Sequence, residues 1–315
     1  MPVRNAGQSI LDSVASVLAQ DYPGPFEVVI AVGTSSDATA ALVEQASADP
    51  RVTVIANPLG STPSGLNAAI RQAVGAIIVR CDAHSVLPPH YVSRAVGRLQ
   101  QTGAVNVGGV QAASGSGTMQ RAIAAAMSSP FGVGDARYHM GGDPGPVDTV
   151  YLGVFQRDAI EAVGLFDEQL GRNQDYELNH RLRTAGGTVY FDPELVVEYR
   201  PRSSIGALWR QYHDYGRWKR VVVRLHPKSL RARQLAPPAL IVGLVASAVA
   251  ALFGRFALAL VIPLLYSLAT LVATGVEVAR RRDGAMLLLS AVFPTMHLAW
   301  GTGFLRPGQP GSKAS

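Results

Sequence analysis

Residues 76–84, AIIVRCDAH, decide how the fold is interpreted, because a short apolar run ends there directly before a carboxylate and an imidazole. Residues 76–80 have the length and the β-branched composition of a buried strand. Two similar runs precede it along the chain, FEVVIAV at 26–32 and VTVIA at 52–56. Met1-Pro2-Val3 is typical of the last residues of a still earlier strand.

Segments with helical character separate these runs, at 9–20, 38–48 and 64–74. Within the first of them, Ile10, Val14 and Val17 fall on one helical face. Strands alternating with helices predict an α/β fold in which a mostly parallel sheet is flanked by helices. In such sheets the ligand lies outside the carboxyl ends of the strands. The segments to search first are therefore 34–37, 57–63 and 82–85.

Three runs without a formal charge follow Arg233, at 234–254, 256–276 and 284–305. Each is long enough to cross a hydrocarbon core of about 30 Å at about 1.5 Å per residue. They predict three transmembrane helices, at about 236–254, 256–276 and 285–305. The third run is the weakest because it contains His297 and several glycines, and Arg306 and Lys313 follow it. An interfacial or re-entrant third segment is the alternative.

The net charge of +6 is unevenly distributed. Residues 1–216 carry 15 basic and 20 acidic residues, whereas residues 217–233 carry seven basic residues and no acidic one. A basic cluster directly before a hydrophobic run is typical of a cytoplasmic flank that contacts anionic membrane lipids. A nucleic-acid-binding protein would need a basic face on its soluble part, so that class is excluded. We expect a multi-pass protein of the inner, or plasma, membrane whose soluble domain is cytoplasmic.

The chain ends and the cysteine content give further expectations. The single cysteine, Cys81, is typical of a reducing compartment. Residues 1–20 are polar and amphipathic, unlike a signal peptide. The short first strand predicts a start upstream of Met1, with a shortened strand as the alternative. Residues 306–315, rich in Gly, Pro and Ser, are predicted to be disordered.

Asp82 and His84 place a carboxylate and an imidazole on one loop, with one residue between them. Both groups can bind a divalent cation, and a cation assists a reaction that has a diphosphate leaving group. An Asp after a strand is also often only a helix cap or a turn residue. The spacing alone leaves both interpretations open.

Asp175 and Glu177 lie at the start of a predicted helix over 176–185. Asp175 as the N-cap and Glu177 in the first turn give a complete structural explanation. A carboxylate in a fixed orientation is also what a general base needs to take a proton from an acceptor hydroxyl. Both interpretations stay open.

Residues 209–218, WRQYHDYGRW, combine aromatic and charged side chains just before the first hydrophobic run. An interfacial helix with an aromatic belt explains part of this pattern. Gln211, Arg217 and Trp218 are also able to close a binding site over a diphosphate or a lipid phosphate.

Several short motifs, in their order and spacing, resemble glycosyltransferase family 2, particularly its succinoglycan-biosynthesis-type bacterial members. The resemblance extends from Met1 to about Trp218. The motifs are MPVRN at 1–5, QDYP at 20–23 before EVVI at 27–30, GLNAA at 65–69, RCDAH at 80–84, VGLFDE at 163–168 and QDYEL at 174–178.

The resemblance implies a GT-A fold, a nucleotide-diphosphate sugar donor, a divalent Mg²⁺ or Mn²⁺ ion and inversion at the anomeric carbon. By position, Asp82 and His84 resemble the family's metal and diphosphate motif, and Asp175 resembles its catalytic base. The donor-binding residues that the resemblance implies are Pro2, Arg4, Asn5, Asp37, Asn67 and Asp82. Gln211, Arg217 and Trp218 are candidates for closing the acceptor or diphosphate site.

The sequence therefore predicts a hexosyltransferase-type enzyme with a GT-A catalytic domain at 1–208, an interfacial segment at 209–233 and membrane helices at 234–305. The expected acceptor is lipid-linked or another membrane-held glycan, such as a polyprenyl-linked glycan in cell-envelope or exopolysaccharide synthesis. One alternative is a polyprenyl-phosphate sugar synthase. The other is a catalytically silent nucleotide-binding scaffold, because Val32-Gly33-Thr34-Ser35 stands where the family usually has Asp-Asp-Gly-Ser. The irregular spacing of Gln211 and Arg217-Trp218 argues against a processive polysaccharide synthase.

Overall fold

A computed structural model describes residues 1–306 of the chain. The first elements along the chain are β1 (Pro2–Val3), α1 (Ser9–Leu18), β2 (Val28–Val32), α2 (Thr39–Ala46), β3 (Val52–Ala56), α3 (Thr62–Gln72), β4 (Ile77–Val79), α4 (Tyr91–Thr102) and β5 (Asn106–Ala113). They are followed by α5 (Thr118–Met127), α6 (Pro130–Val133), α7 (Arg137–Met140), β6 (Gly145–Pro146), β7 (Tyr151–Gln156), α8 (Arg157–Ala162), α9 (Gln174–Thr184) and β8 (Val189–Tyr199). The last helices are α10 (Ile205–Leu225), α11 (Ala236–Leu252), α12 (Phe256–Arg281) and α13 (Leu289–Leu305). The predicted disordered tail lies, beyond Arg306, outside the described residues.

The first sheet is parallel and has the strand order β1-β2-β3. Pro2 lies opposite Ala31, and Val28 lies opposite Val52. The helices between these strands begin and end within a few residues of the positions that the periodicity predicts. One difference is that α3 starts at Thr62 because Ser61 caps it, accepting a hydrogen bond from the Ser64 N–H.

The second sheet has the order β4-β7-β5-β8-β6. β4 and β5 both pair antiparallel with β7, and β6 pairs antiparallel with β8. The run predicted at 76–80 is therefore a strand, but it pairs antiparallel with β7 in this second sheet. Its carboxyl end leads directly into Cys81 and Asp82.

The largest apolar core of the described residues joins α1 and α4 to strands of both sheets. Ile10, Ile30 and Val154 are each 0% exposed. Burying one such side chain contributes about 1.5–3 kcal/mol. This core fixes the strand ends from which the polar loops emerge.

The chain divides into two compact units. The first comprises Met1–Ala112 and Gly141–Tyr199, and it contains both sheets apart from the last residue of β5. Among the described residues, the second comprises Ala113–Met140 and residues 200–306.

The second unit contains three helices that are long and apolar enough to cross a membrane: Ala232–Leu252, Phe256–Arg281 and Gly284–Leu305. They differ in how much of their surface the protein itself covers. The buried share of their most apolar window is 11% for the first, 6% for the second and 44% for the third. The first two therefore expose apolar side chains that water would solvate poorly.

The third apolar helix, α13, packs closely against α10 through glycines. A Cβ on Gly216 would lie 2.0 Å from the Trp300 carbonyl oxygen, and one on Gly303 would lie 2.1 Å from the His213 carbonyl oxygen. Arg220 also donates to the carbonyl of Phe304 at 3.1 Å. The two backbones are in direct contact, so α13 is held by a charged, amphipathic helix.

Candidate functional site

Asp82 follows β4, and serines of α1 form hydrogen bonds with the backbone of its loop. The Ser13 hydroxyl lies 3.0 Å from the Asp82 carbonyl oxygen and 2.8 Å from that of Ser85. The Leu87 N–H donates to the Ser16 hydroxyl at 3.1 Å. Serines at helical spacing on one face of α1 thus bind the backbone of the loop and fix its path.

Arg80, the residue before Cys81, joins two carboxylates at this position. Its Nε donates to Asp82 Oδ1 at 3.0 Å, and a terminal nitrogen donates to Asp82 Oδ2 at 3.2 Å. Its other terminal nitrogen donates to Asp175 Oδ1. The Arg80 side chain is 7% exposed, whereas those of Asp82 and Asp175 are 33% and 36% exposed. The carboxylates predicted to bind metal and to act as base are therefore neighbours.

The electrostatics of this cluster keep Arg80 charged. Burial alone would lower the pKa of its guanidinium, but the charges of Asp175 and Asp82 outweigh burial and raise that pKa. One guanidinium between two carboxylates leaves a net negative charge on the cluster.

Asp175 does not cap its helix. α9 begins at Gln174, two residues earlier than expected, and its N-cap is Asn173, in a left-handed conformation with φ 61°. Asp175 is thus inside the first turn, and its carboxylate binds Arg80 instead of a free backbone N–H. Glu177 pairs with Arg181 one turn further on. The capping explanation that the sequence left open does not describe this residue.

His84 is exposed and is oriented by α1. Its Nδ1 lies 2.6 Å from the Ser9 hydroxyl oxygen, which also lies 2.6 Å from the Ala6 carbonyl oxygen. A hydroxyl has a single proton, and a carbonyl can only accept one, so Ser9 donates to Ala6 and accepts from His84 Nδ1–H. This tautomer leaves the lone pair of His84 Nε2 available for a cation.

Tyr151, at the start of β7, completes the surroundings of Asp82. Burial raises the pKa of its phenol, and the charge of Asp82 adds to the effect, so the hydroxyl stays protonated and can donate. The side chains of Ser85 and Gln111 lie beside this hydroxyl and act in the opposite direction, to lower its pKa. The next residue, Leu152, is held at φ 43°, in the left-handed region that non-glycine residues rarely adopt.

The loops after β1 and β2 are tied to each other. The Asn5 N–H donates to the Ser35 hydroxyl at 3.1 Å, and Asn5 Oδ1 accepts from the Ser36 N–H at 2.8 Å. Asp37 accepts from the Gly7 N–H at 3.1 Å, and hydrogen bonds, first that with Thr39, lower its pKa. Asn5 and Asp37 are thus brought together at the carboxyl edge of the first sheet.

Pro2 and Arg4 line the same edge. A Cβ on Gly65, at the start of α3, would lie 3.0 Å from Pro2 Cβ and 2.7 Å from Asn57 Nδ2. A Cβ on Gly60 would lie 3.7 Å from an Arg4 guanidinium nitrogen. Gly65 therefore allows a close approach of α3 to Pro2, whereas Arg4 lies at ordinary contact distance from Gly60.

The Asn67 side chain forms its hydrogen bonds with Phe166 and Glu168. Its amide donates to the Phe166 carbonyl and to Glu168 Oε1, both at 2.8 Å, and its Oδ1 accepts from the Phe166 N–H at 3.0 Å. The residue is 2% exposed. Asn67 thus clamps the VGLFDE segment to α3.

The three closure candidates lie on α10, in the second unit. Gln211 donates to the Tyr215 hydroxyl at 2.8 Å, and Arg217 stacks over the Trp218 ring at 5.5 Å. Trp218 is 2% exposed, and its indole N–H finds no acceptor among residues 1–306. Trp218 is therefore a packing residue of α10.

A cavity of about 510 Å³ lies apart from these groups, lined mainly by apolar residues of β2, α3, β4 and α4. Asp82 and Asp175 do not line it. Its walls offer little that would recognise a charged diphosphate.

Within the described part of the chain, no group of three or more His, Cys, Asp and Glu side chains could hold a metal alone. Asp82 and His84 instead offer one oxygen and one nitrogen ligand. A hard divalent ion that shares its shell with diphosphate oxygens suits such a partial set.

Sequence reasoning missed Arg80, Tyr151 and the serines of α1. Arg80 and Asp82 are two residues apart, so alternation along an extended chain was a signal that could have paired them. The contact of Arg80 with Asp175 spans 95 residues and had no local signal. The serine spacing of Ser9, Ser13 and Ser16 was visible in the sequence.

An α/β fold in which Arg80 joins a carboxylate after β4 to one in the first turn of α9 fits a nucleotide-sugar-dependent transferase of the GT-A type. Residues 1–164 match the sequence model of glycosyl transferase family 2, and the chain belongs to this family. The resemblance, fold class and enzyme class predicted from the sequence are confirmed.

Among curated proteins, the chain is similar to the succinoglycan biosynthesis protein ExoA of Rhizobium meliloti (strain 1021). The two are 31% identical over 285 residues, which is 89% of this chain and 84% of ExoA. A second relative, from Methanococcus voltae, is a dolichyl N-acetyl-alpha-D-glucosaminyl phosphate 3-beta-D-2,3-diacetamido-2,3-dideoxy-beta-D-glucuronosyltransferase. It is 24% identical over 71% of this chain and 73% of its own length.

Solved structures support the fold. Mannosyltransferase PcManGT from Pyrobaculum calidifontis, in complex with GDP-Man and Mn²⁺, aligns with a TM-score of 0.63 at 20% identity, over 95% of this chain and 84% of that one. The S. aureus TarS fragment 1–349 aligns with a TM-score of 0.51 at 15% identity over 70% of this chain. The chain spans 62% of the TarS fragment, less than two thirds of it.

Proposed function

We propose that this glycosyltransferase moves one sugar from a nucleotide-diphosphate donor to a membrane-held acceptor, with inversion at the anomeric carbon. The observation that carries the proposal is the joining of Asp82, which follows β4, to Asp175, in the first turn of α9, by Arg80. One carboxylate is thereby placed for the leaving diphosphate and the other for the incoming hydroxyl.

In this mechanism Asp175 takes the proton of the acceptor hydroxyl. Its carboxylate is 36% exposed and is fixed through Oδ1, so Oδ2 is left to face the acceptor. A general base with a fixed orientation contributes typically 10²–10⁴-fold to a rate. In-line attack from the side opposite the diphosphate inverts the configuration of the sugar.

The diphosphate end of the site is assigned to Asp82 and His84, together with Mg²⁺ or Mn²⁺. The lone pair of His84 Nε2 and the exposed carboxylate of Asp82 fit a hard divalent ion, and PcManGT binds Mn²⁺ with GDP-Man. When bound, such an ion stabilises negative charge on the leaving group. Tyr151 contributes a protonated hydroxyl beside Asp82.

The nucleotide is assigned to the loops after β1 and β2. Pro2, Arg4, Asn5 and Asp37 lie there, and the hydrogen bonds between the two loops give them a common, fixed surface. Asn67 acts on this site by holding the VGLFDE segment, since its amide is fully engaged.

The membrane attachment is assigned to α11 and α12. Their exposed apolar side chains, among them Val245 and Leu264, call for a lipid environment. Arg280 to Arg282 at the end of α12 and the basic cluster before α11 both belong on the cytoplasmic side of the inner, or plasma, membrane. The two helices then form a hairpin whose outer turn is at Gly254.

We assign α13 to the cytoplasmic interface, the alternative that the sequence left open. α13 contacts α10 backbone to backbone, and α10 carries Arg210, Asp214, Arg217 and Arg220. A charged side chain at the bilayer centre costs at least about 2.5–3.5 kcal/mol, so α10 cannot accompany α13 through the hydrocarbon. This arrangement also places Arg306 on the cytoplasmic side.

A lipid-linked acceptor follows from this attachment. A polyprenyl-linked glycan in cell-envelope or exopolysaccharide synthesis fits the membrane hairpin, the succinoglycan biosynthesis relative and the relative named for a dolichyl-linked substrate. Gln211 and Arg217 of α10 are candidates for contacting its phosphate. A synthase that transfers sugar to polyprenyl phosphate itself differs only in the acceptor.

The test is sugar transfer by the detergent-purified full chain against UDP-, GDP- and dTDP-sugars, with Mg²⁺, Mn²⁺ or EDTA and a bacterial lipid extract. We expect metal-dependent turnover of one donor that is lost in Asp82→Ala and Asp175→Asn. Asp49→Asn is the matched control, because Asp49 also pairs with an arginine, Arg51, but is not among the proposed site residues. Donor binding by the wild type without any turnover would instead favour a catalytically silent scaffold.

A further inference from the structure

Arg80 is the only described side chain that binds both Asp82 and Asp175. It is buried at the end of β4, where its backbone N–H donates to the Gly153 carbonyl at 3.1 Å. Its position is therefore set by the sheet itself. Asp82 comes from a loop, and loops are more mobile than the elements they connect, whereas Asp175 comes from the first turn of α9.

We propose that Arg80 is a positioning residue for the transfer reaction: it fixes the orientation of the Asp175 carboxylate and the separation of Asp175 from Asp82. This inference rests on the proposed function, in which Asp175 is the base. Arg80 itself is too buried to be the group that the acceptor meets.

The geometry requires a guanidinium. Two nitrogens of Arg80 bind both oxygens of Asp82 as a fork, and the third binds Asp175 Oδ1. A lysine ammonium is a single point with rotatable donors, so it keeps the charge but cannot hold both carboxylates in one plane. Arg80→Lys therefore keeps the positive charge at this position and removes the fixed geometry of the guanidinium.

A purely structural role is the competing explanation, and its consequences differ. A buried ion pair is weak evidence for stability, because desolvation offsets the attraction. If Arg80 only stabilised the fold, its replacement would lower the unfolding midpoint and would lower the apparent kcat only in proportion to the fraction of enzyme that is unfolded, with KM unchanged. If it positions Asp175, kcat falls while donor binding and folding stay close to the wild type.

The experiment compares Arg80→Lys with Arg94→Lys in the full chain in detergent. Arg94 is a matched control, since it also bridges two carboxylates, Asp192 and Glu194. The measurements are kcat and donor KM with Mn²⁺, the Kd of the nucleoside diphosphate by calorimetry, and the apparent unfolding midpoint.

For Arg80→Lys we expect kcat to fall about 100-fold, the scale that misplacement of a catalytic group produces. Donor KM and the nucleotide Kd should change less than about 3-fold. Arg94→Lys should keep kcat. In an Asp175→Asn background, Arg80→Lys should cause little further loss, because a residue that acts through Asp175 has nothing left to position.

An unchanged kcat in Arg80→Lys, an equal loss in Arg94→Lys, or full additivity with Asp175→Asn would overturn the inference. If Arg80→Lys does not fold, Arg80→Gln takes its place, and failure of both to fold assigns Arg80 to stability and also overturns it. A wild type that transfers no sugar contradicts the proposed function. An active wild type with an unaffected Arg80→Lys contradicts only the role of Arg80.

Discussion

Replacing Asn67 by alanine separates two roles for this residue, contact with the donor and clamping of the VGLFDE segment. The change removes the partners of the Phe166 N–H and carbonyl and of Glu168 Oε1. Each buried backbone group left without a partner costs about 1–3 kcal/mol. We therefore expect the free energy of unfolding to fall by roughly 2–5 kcal/mol.

A loss of this size is measurable as a change in the apparent unfolding midpoint. For a domain of this size 1 kcal/mol corresponds to about 2–4 °C, so Asn67→Ala should lower the midpoint by about 4–20 °C. The assay is intrinsic-fluorescence unfolding of the full chain in detergent, with nucleotide Kd measured below the transition. Gln45→Ala, on the exposed surface of α2, is the control and should stay within about 0.5 kcal/mol.

The opposite pattern would refute the reasoning. If Asn67→Ala kept the wild-type midpoint but lost nucleotide affinity at a temperature where it is folded, Asn67 would be a donor ligand and the clamp would be unimportant. A loss of both at low temperature would require the Kd to be measured again on the folded fraction.

Four further outcomes follow from the same structure. Ser13→Ala should cost about 1–3 kcal/mol and lower kcat, because the loop that carries Asp82 loses the two hydrogen bonds that Ser13 gives it; an unchanged kcat contradicts this. Burial raises the pKa of Cys81 to about 11, so at pH 8 the thiol is protonated and maleimide should label it only after unfolding. Gly303→Ala, which puts a Cβ 2.1 Å from the His213 carbonyl oxygen, should lower the unfolding midpoint, whereas Gly275→Ala, with open space around it, should not. A reporter fused at the C-terminus should be cytoplasmic and one inserted at Gly254 external; an external C-terminus would show that α13 spans.

The sequence predicted those features that depend on neighbouring residues. Strand-length apolar runs at 26–32 and 52–56 became β2 and β3, and the loop with Asp82 lies where the end of a strand was expected. Hydrophobic periodicity and turn residues depend only on residues close together in the sequence, so the elements they define can be predicted without a structure.

Contacts between residues far apart in the chain could not be predicted from the sequence. Asp175 looked like a helix cap because an Asp before a helix often is one, and only the fold shows that α9 begins earlier and turns this carboxylate toward Arg80. Hydropathy likewise gave α13 the same interpretation as α11 and α12. The different assignment that we propose for α13 rests on its partner α10, which no hydropathy window over α13 contains.

The charge of the site gives an independent reason to expect a cation with the donor. Asp82, Asp175 and Arg80 together carry a net negative charge, and the diphosphate of a nucleotide sugar is negative as well. Two like unit charges about 4 Å apart repel by about 1 kcal/mol in water and by about 4 kcal/mol at an effective dielectric of 20. Arg80 cannot offset this repulsion, since its guanidinium is already bound to both carboxylates. We therefore expect the donor to need a positive charge that Arg80 does not supply, which supports the proposed binding of a divalent ion at Asp82 and His84.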